Sequence, residues 1–194
     1  MYATFNGAQG DDGYAWVLQA GGTAGSPTIA AGTGTKWAGT TNVGYTASCY
    51  DTENNKMFIA YEDSAAGAVK GTIATINSGT NAVTFTSPAA IWSDHAGDYF
   101  EVAFDEDTNK IIFLYRDDDN SDYTTYKIIT PSASSFSVAD GAAISSSDNR
   151  VHTGTGSGAA GKGVLFSIGD AGSASNNEVG YTTVFFGTTS TTTS

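Results

Sequence analysis

The sequence predicts an all-β protein assembled from repeated four-stranded antiparallel sheets, and three observations carry that prediction. The composition favours strands and turns: of 194 residues only 14% are charged, 24 are glycine, and Ser and Thr are abundant, unlike the Ala-, Glu-, Lys- and Leu-rich make-up of helical bundles. A long segment recurs, with Tyr45 to Asp63 matched without a gap by Tyr99 to Asp117. Inside each copy the apolar residues fall in short alternating or continuous runs bounded by Gly, Asn, Asp and Ser, the pattern of strands separated by tight turns.

Each element follows from that skeleton. Tyr2 to Gly7 can be laid on Phe58 to Asp63, so the first copy begins at its second strand. The next copy predicts strands at 45–50, 57–61, 70–76 and 82–86, and the one after it at 99–104, 111–115, 123–129 and 136–139. The two share an aromatic-Asp pair (Tyr50-Asp51, Phe104-Asp105), then a polar loop ending Asn-Lys (Asn55-Lys56, Asn109-Lys110). An apolar run follows, closed by Tyr, a charged residue and Asp (Tyr61-Glu62-Asp63, Tyr115-Arg116-Asp117). A fainter copy runs from Arg150 through a glycine-rich loop into Lys162 to Asp170, with a later strand at 179–185. Trp37 and Trp92 hold corresponding places, with Ile144-Ser145 in the next copy, and such equivalence predicts packing between sheets.

The second strand of each copy is almost continuously apolar, as expected of a strand buried on both faces. A four-stranded sheet cannot bury both faces alone, so successive sheets must stack or ring an axis. The repeat of about 54 residues, the separation of Tyr45 from Tyr99, has the size and strand number of a β-propeller blade. The chain therefore reads as about three and a half β-propeller-like repeats, with an open stack of sheets as the alternative. Residues 1–187 form the single β-repeat domain, and 188–194 a Thr/Ser-rich C-terminal tail.

Charge and motifs exclude several functions. With 20 acidic and 8 basic side chains the net charge is −12, which argues against a nucleic-acid partner, because polyanions are held by clustered Lys and Arg. Cys49 is the one cysteine, so no internal disulfide or Cys-based zinc site is expected. The opening residues have neither a basic region nor a long apolar stretch, and no run approaches the ~18 apolar residues of a membrane span, which predicts a soluble chain with no secretory signal and no membrane insertion.

The candidate sites are few. Asp117, Asp119 and Ser121 alternate along an acidic turn, the spacing with which a bent chain offers oxygens to calcium, so calcium is the one cofactor this sequence could hold. The glycine turn and distal glutamate of the helix-flanked calcium loop are missing, and a solvated hairpin turn is the competing reading. Asp63, Asp117 and Asp170 recur after the apolar strand, where a ring of carboxylates could serve glycoside hydrolysis. A residue present in every copy is better explained by a task every copy shares, accepting hydrogen bonds from the turn. His95 and His152 lie in different copies without nucleophile or metal spacing. Gly156 to Lys162 imitates a phosphate loop, but Gly163 stands where a hydroxyl belongs and a strand follows. No catalytic set is expected. Trp16, Tyr123 and Tyr126 are the aromatics predicted to meet a glycan or a protein partner.

The unit of aromatic-Asp, Asn-Lys turn, apolar strand, Tyr-x-Asp, Ser/Asn-rich hairpin and Thr-rich strand resembles repeats in tail-fibre-like structural proteins of tailed bacteriophages, over most of residues 41–186. The resemblance implies a non-enzymatic virion component that assembles with itself or with other virion proteins and serves host attachment by contacting a host-surface glycan. The alternatives are an extracellular carbohydrate-binding module or cell-surface adhesin on the same scaffold, and a glycoside-active enzyme.

Overall fold

The computed structural model describes residues 2–6, 12–37, 42–93, 97–106, 108–148, 155–158 and 162–165. These form an all-β structure of three antiparallel sheets and one further hairpin, none of them closed on itself. The first sheet contains β1 (Tyr2–Asn6), β2 (Gly13–Thr23), β3 (Ser26–Ala31) and β4 (Thr35–Lys36); β2 pairs with all three others. The second contains β5 (Val43–Asp51), β6 (Lys56–Asp63), β7 (Ala68–Asn77), β8 (Ala82–Phe85) and β9 (Ala89–Trp92), with both β8 and β9 paired to β7. The third runs in order through β10 (Gly97–Asp105), β11 (Lys110–Asp117), β12 (Tyr123–Pro131) and β13 (Phe136–Asp148). β14 (Thr155–Gly158) and β15 (Lys162–Leu165) form the hairpin, which lies against β10.

The Asn-Lys turn shows why its residues recur. Asn55 and Asn109 close the β5–β6 and β10–β11 hairpins with φ of 56° and 52°, left-handed backbone that asparagine adopts more readily than most residues. Asp51 accepts hydrogen bonds from the Asn54 amide (2.9 Å) and side chain (2.8 Å), and Asp105 accepts one from Thr108 Oγ1 at 2.5 Å. In both hairpins the turn is held by the acid that precedes it. The strand pairings then coincide: Asp51 faces Lys56 as Asp105 faces Lys110, and Val43 faces Asp63 as Gly97 faces Asp117. Each of these first strands also carries a bulge, between Val43 and Thr46 and between Asp98 and Glu101.

Burial follows strand parity. Met57, Ile59 and Tyr61 pack with Ala15 and Trp37 of the first sheet, whereas Phe58 and Ala60 pack toward Phe100, Phe113 and Tyr115 of the third. The middle sheet is thus buried on both faces, which is why β6 has no alternation of polar residues. Trp37 rests against Tyr61 with ring centroids 6.3 Å apart, and Trp92 meets Tyr115 edge-on at 5.4 Å. Each tryptophan ends one sheet and touches the tyrosine of the next.

Candidate functional site

The two junctions between sheets are built alike but finished differently. At the first, Trp37 is enclosed by Tyr61, Phe85 and the backbone of Gly13, where any side-chain carbon would collide with the indole. At the second, Trp92 is only half-buried and borders a groove of about 360 Å³ lined also by Tyr115, Asp117, Thr125, Lys127 and the stretch Asp140 to Ala143. The groove exists because β13 departs from regular pairing with β12: the register shifts between Tyr123 and Thr125 and again between Thr125 and Lys127. Bulges of this kind re-aim side chains at functional rims. Gly141 permits it, since a Cβ there would strike the Tyr126 carbonyl and ring.

Lys127 organises the groove. Its ammonium lies 4.5 Å from the centre of the Trp92 ring and 2.6 Å from Asp140 Oδ1, a cation–π contact and an ion pair on one side chain. The Lys127 hydrogen bond holds the Asp140 carboxyl below the usual carboxylate range. Burial, and then the carboxylates of Asp117 and Asp140, push the Tyr115 phenol above its ordinary range, so it stays protonated. The groove therefore presents one indole, a neutral phenol, an ammonium and carboxylates, a surface that can stack on and hydrogen-bond a polyhydroxylated ring.

The acidic turn is built round a single 3₁₀ turn, Asp118–Asn120, which Asp117 precedes in extended backbone and Ser121 follows in the left-handed region. Asp117 is buried and accepts a hydrogen bond from Thr125 Oγ1 at 3.4 Å, while Asp119 and Ser121 are exposed. Arg116 sits among the remaining acids, 2.5 Å from Asp98, 3.2 Å from Asp118 and 3.6 Å from Asp122, with its guanidinium over the Tyr99 ring. Among the described residues no three His, Cys, Asp or Glu side chains converge to hold a metal ion.

The other expected site residues are dispersed. Trp16 lies on β2, stacked at a tilt on Tyr14 (5.7 Å) and against Gly34, and does not line the groove. Tyr126 borders the groove and packs with Ile112 and Leu114; Tyr123 begins β12 opposite Asp117. Asp63 accepts hydrogen bonds from the Ala66 amide (3.1 Å) and the Lys70 ammonium (2.6 Å), the shared turn task expected of it. For Asp117 the turn contributes no side-chain cap, and the hydroxyl of Thr125 takes that part. His95, His152 and Asp170 lie outside the described residues. β15 begins at Lys162, so a strand does follow the glycine-rich stretch. Lys127 and Asp140 were not singled out by the sequence; a lysine inside an otherwise apolar strand, Tyr126 to Ile129, is the signal that marks one of them.

No protein-family model matches this chain, and no curated protein or solved structure matches it.

Proposed function

We propose that this chain is a non-enzymatic structural and interaction protein, a surface component of a tailed-phage particle built from about three and a half propeller-like repeats of about 54 residues. The observation that carries this reading is the recurrence of pairings, bulge and turn acid between β5–β6 and β10–β11, with each sheet covering a face of its neighbour. A fold of that kind grows by adding sheets, and the strand repeat resembles those of tail-fibre-like proteins. The first strands β5 and β10 also approach closely, with Tyr45 and Tyr99 rings 5.3 Å apart, as blades do near a common axis. Mass spectrometry of purified particles of the encoding phage, with antibody labelling of intact particles, tests it. Stoichiometric, surface-accessible copies are expected; absence of the chain from particles overturns the reading.

A second reading, carbohydrate binding, is favoured by the Trp92 and Lys127 groove. Catalysis on glycosides has less support there, because a glycosidase needs two carboxyls that both reach the substrate, and of the groove's two acids Asp140 is exposed while Asp117 is buried beside Thr125. Glycan-array binding lost in Trp92→Ala supports the module reading; binding unchanged in that variant, or absent in the native chain, counts against the groove.

A further inference from the structure

The hairpin of β2 and β3 leaves the sheet as an arm. From Gln19 to Thr33 every residue is exposed, on both faces of the ribbon. An isolated two-stranded ribbon is marginal in water, and an open edge is a template for another strand. Its hydrogen-bonding pattern is fixed by Gly32, whose amide donates to the Val17 carbonyl at 2.9 Å. Counting along the antiparallel register from that pair, Ala30 and Thr28 face inward to β2, while the N–H groups of Ile29 and Ala31 face outward; Pro27, the remaining outward position, has none.

Two further features distinguish this edge. No charged residue occurs between Val17 and Thr35, in a chain whose net charge is −12, so this stretch can meet another copy without like-charge repulsion. Natural edges are usually blunted by charge, and here only Pro27 near the tip does so. Ile29 is also in the place of Val83, since Ala31 faces Leu18 at the base of its hairpin as Phe85 faces Ala74. Val83 is covered by the neighbouring sheet and 6% exposed; Ile29 is 68% exposed.

We propose that the β3 edge pairs antiparallel with the same edge of a second copy, about a two-fold axis at Ile29, joining the two arms into one four-stranded sheet. This deepens the reading of an assembling chain and rests on it. An edge that meets its own copy about a two-fold axis is self-complementary, and centring on Ile29 sets the two isoleucines side by side on one face while each donates to the other's carbonyl. The outward N–H of Ala31 then reaches the carbonyl of Pro27 in the other copy; proline has no N–H to return, so each of these outer pairs keeps one bond of two and leaves the Ala31 carbonyl to water.

Sedimentation of the full chain tests it. The native protein is expected at twice its 19.9 kDa mass, and Ile29→Lys, Ile29→Glu and Ala31→Pro each at the single mass with the same circular dichroism. Mixing the Lys and Glu variants should restore the double mass, because opposite charges then face across the axis. Ala31→Pro removes only an outward N–H and keeps the test decisive should the charged variants fail to fold. A native chain of single mass, with the arm covered by its own polypeptide or by nothing, overturns the proposal. Variants that associate as the native chain does overturn it too and leave self-assembly through another surface. Neither result bears on whether the chain is found in particles, so the two readings fail separately.

Discussion

Two ion pairs of equal length, one in each of the larger sheets, show how one scaffold is put to different uses. Lys70 meets Asp63 at 2.6 Å in the second sheet, and Lys127 meets Asp140 at 2.6 Å in the third. Asp63 is fully buried, whereas the Asp140 side chain is 89% exposed. The lysines are displaced by one step along the same face: Lys70 pairs with Tyr61 across the ladder, and the residue opposite Tyr115 is Thr125, two positions before Lys127. The place opposite Ile59, equivalent to Lys127, belongs to Thr72, whose hydroxyl donates to the Thr86 carbonyl at 2.9 Å. The ladder is kept and the cation is moved, so one junction is sealed and the other opens as a groove.

The largest effect tests the sameness. Tyr61 and Tyr115 are each 1% exposed in equivalent positions, so truncation to Ala should cost about 3–5 kcal/mol at either, read from denaturant midpoints. A small loss at one alone would break the equivalence of the two sheets. The difference should appear at the next level. Lys70→Met strands a buried carboxylate, and as the lysine is itself part-exposed the loss should be about 2 kcal/mol, between the values for buried and surface pairs. Thr125→Val removes a neutral donor from Asp117 and should cost about 1 kcal/mol. Equal losses would mean that the two acids have the same dependence on their partners.

The two tyrosines also set an alkaline limit. Burial, followed by the Asp63 carboxylate, pushes the Tyr61 phenol up to about 12 from its ordinary value of 10, and burial raises Tyr115 in the same direction. A folded state that holds the proton more tightly is favoured fully below the unfolded value and loses that contribution as pH rises through the folded one. Unfolding should therefore set in between about pH 10 and 12, with tyrosinate absorbance appearing together with loss of sheet signal. Tyr61→Phe and Tyr115→Phe should each make the decline shallower; no change in either would separate the alkaline transition from these phenols.

Much of the middle of the chain was legible because its rules are local. The Asn-Lys turn declares itself by the left-handed asparagine, and continuous apolar runs marked β6 and β11 as strands buried on both faces. The β2–β3 arm was not legible: its Gly, Ala, Ser and Thr residues predict no strand between Gly7 and Tyr45, and alternation is absent because neither face is buried. The groove was missed for a different reason. Lys127 and Asp140 face each other as the last regular pair of β12 and β13 before the register shifts; the strand predicted at 136–139 stops one residue short of Asp140, and the shift that opens the groove beyond it has no signature in residue spacing. At Asp117, Asp119 and Ser121 spacing alone does not give the arrangement: the chain turns there through a 3₁₀ helix, with Arg116 among the neighbouring carboxylates.

The smallest effect is expected where the sequence signal was weakest. Asp140 is in water but the Lys127 side chain is only 8% exposed, so Asp140→Asn leaves that ammonium to the Trp92 ring and should lower the denaturant midpoint, though by less than Lys70→Met. The pair should also be visible in titration. Asp140 is held below the usual carboxylate range by the Lys127 hydrogen bond, so whatever it contributes is present above the ordinary carboxylate value and is lost as pH falls through its lowered one. Carboxylate NMR should show this lowered titration and its return to the ordinary range in Lys127→Met. If Asp140 titrates the same in both, the contact with Lys127 is not maintained in solution. The ammonium would then be held over Trp92 by the ring alone, and the wall of the groove would lack its fixed charge.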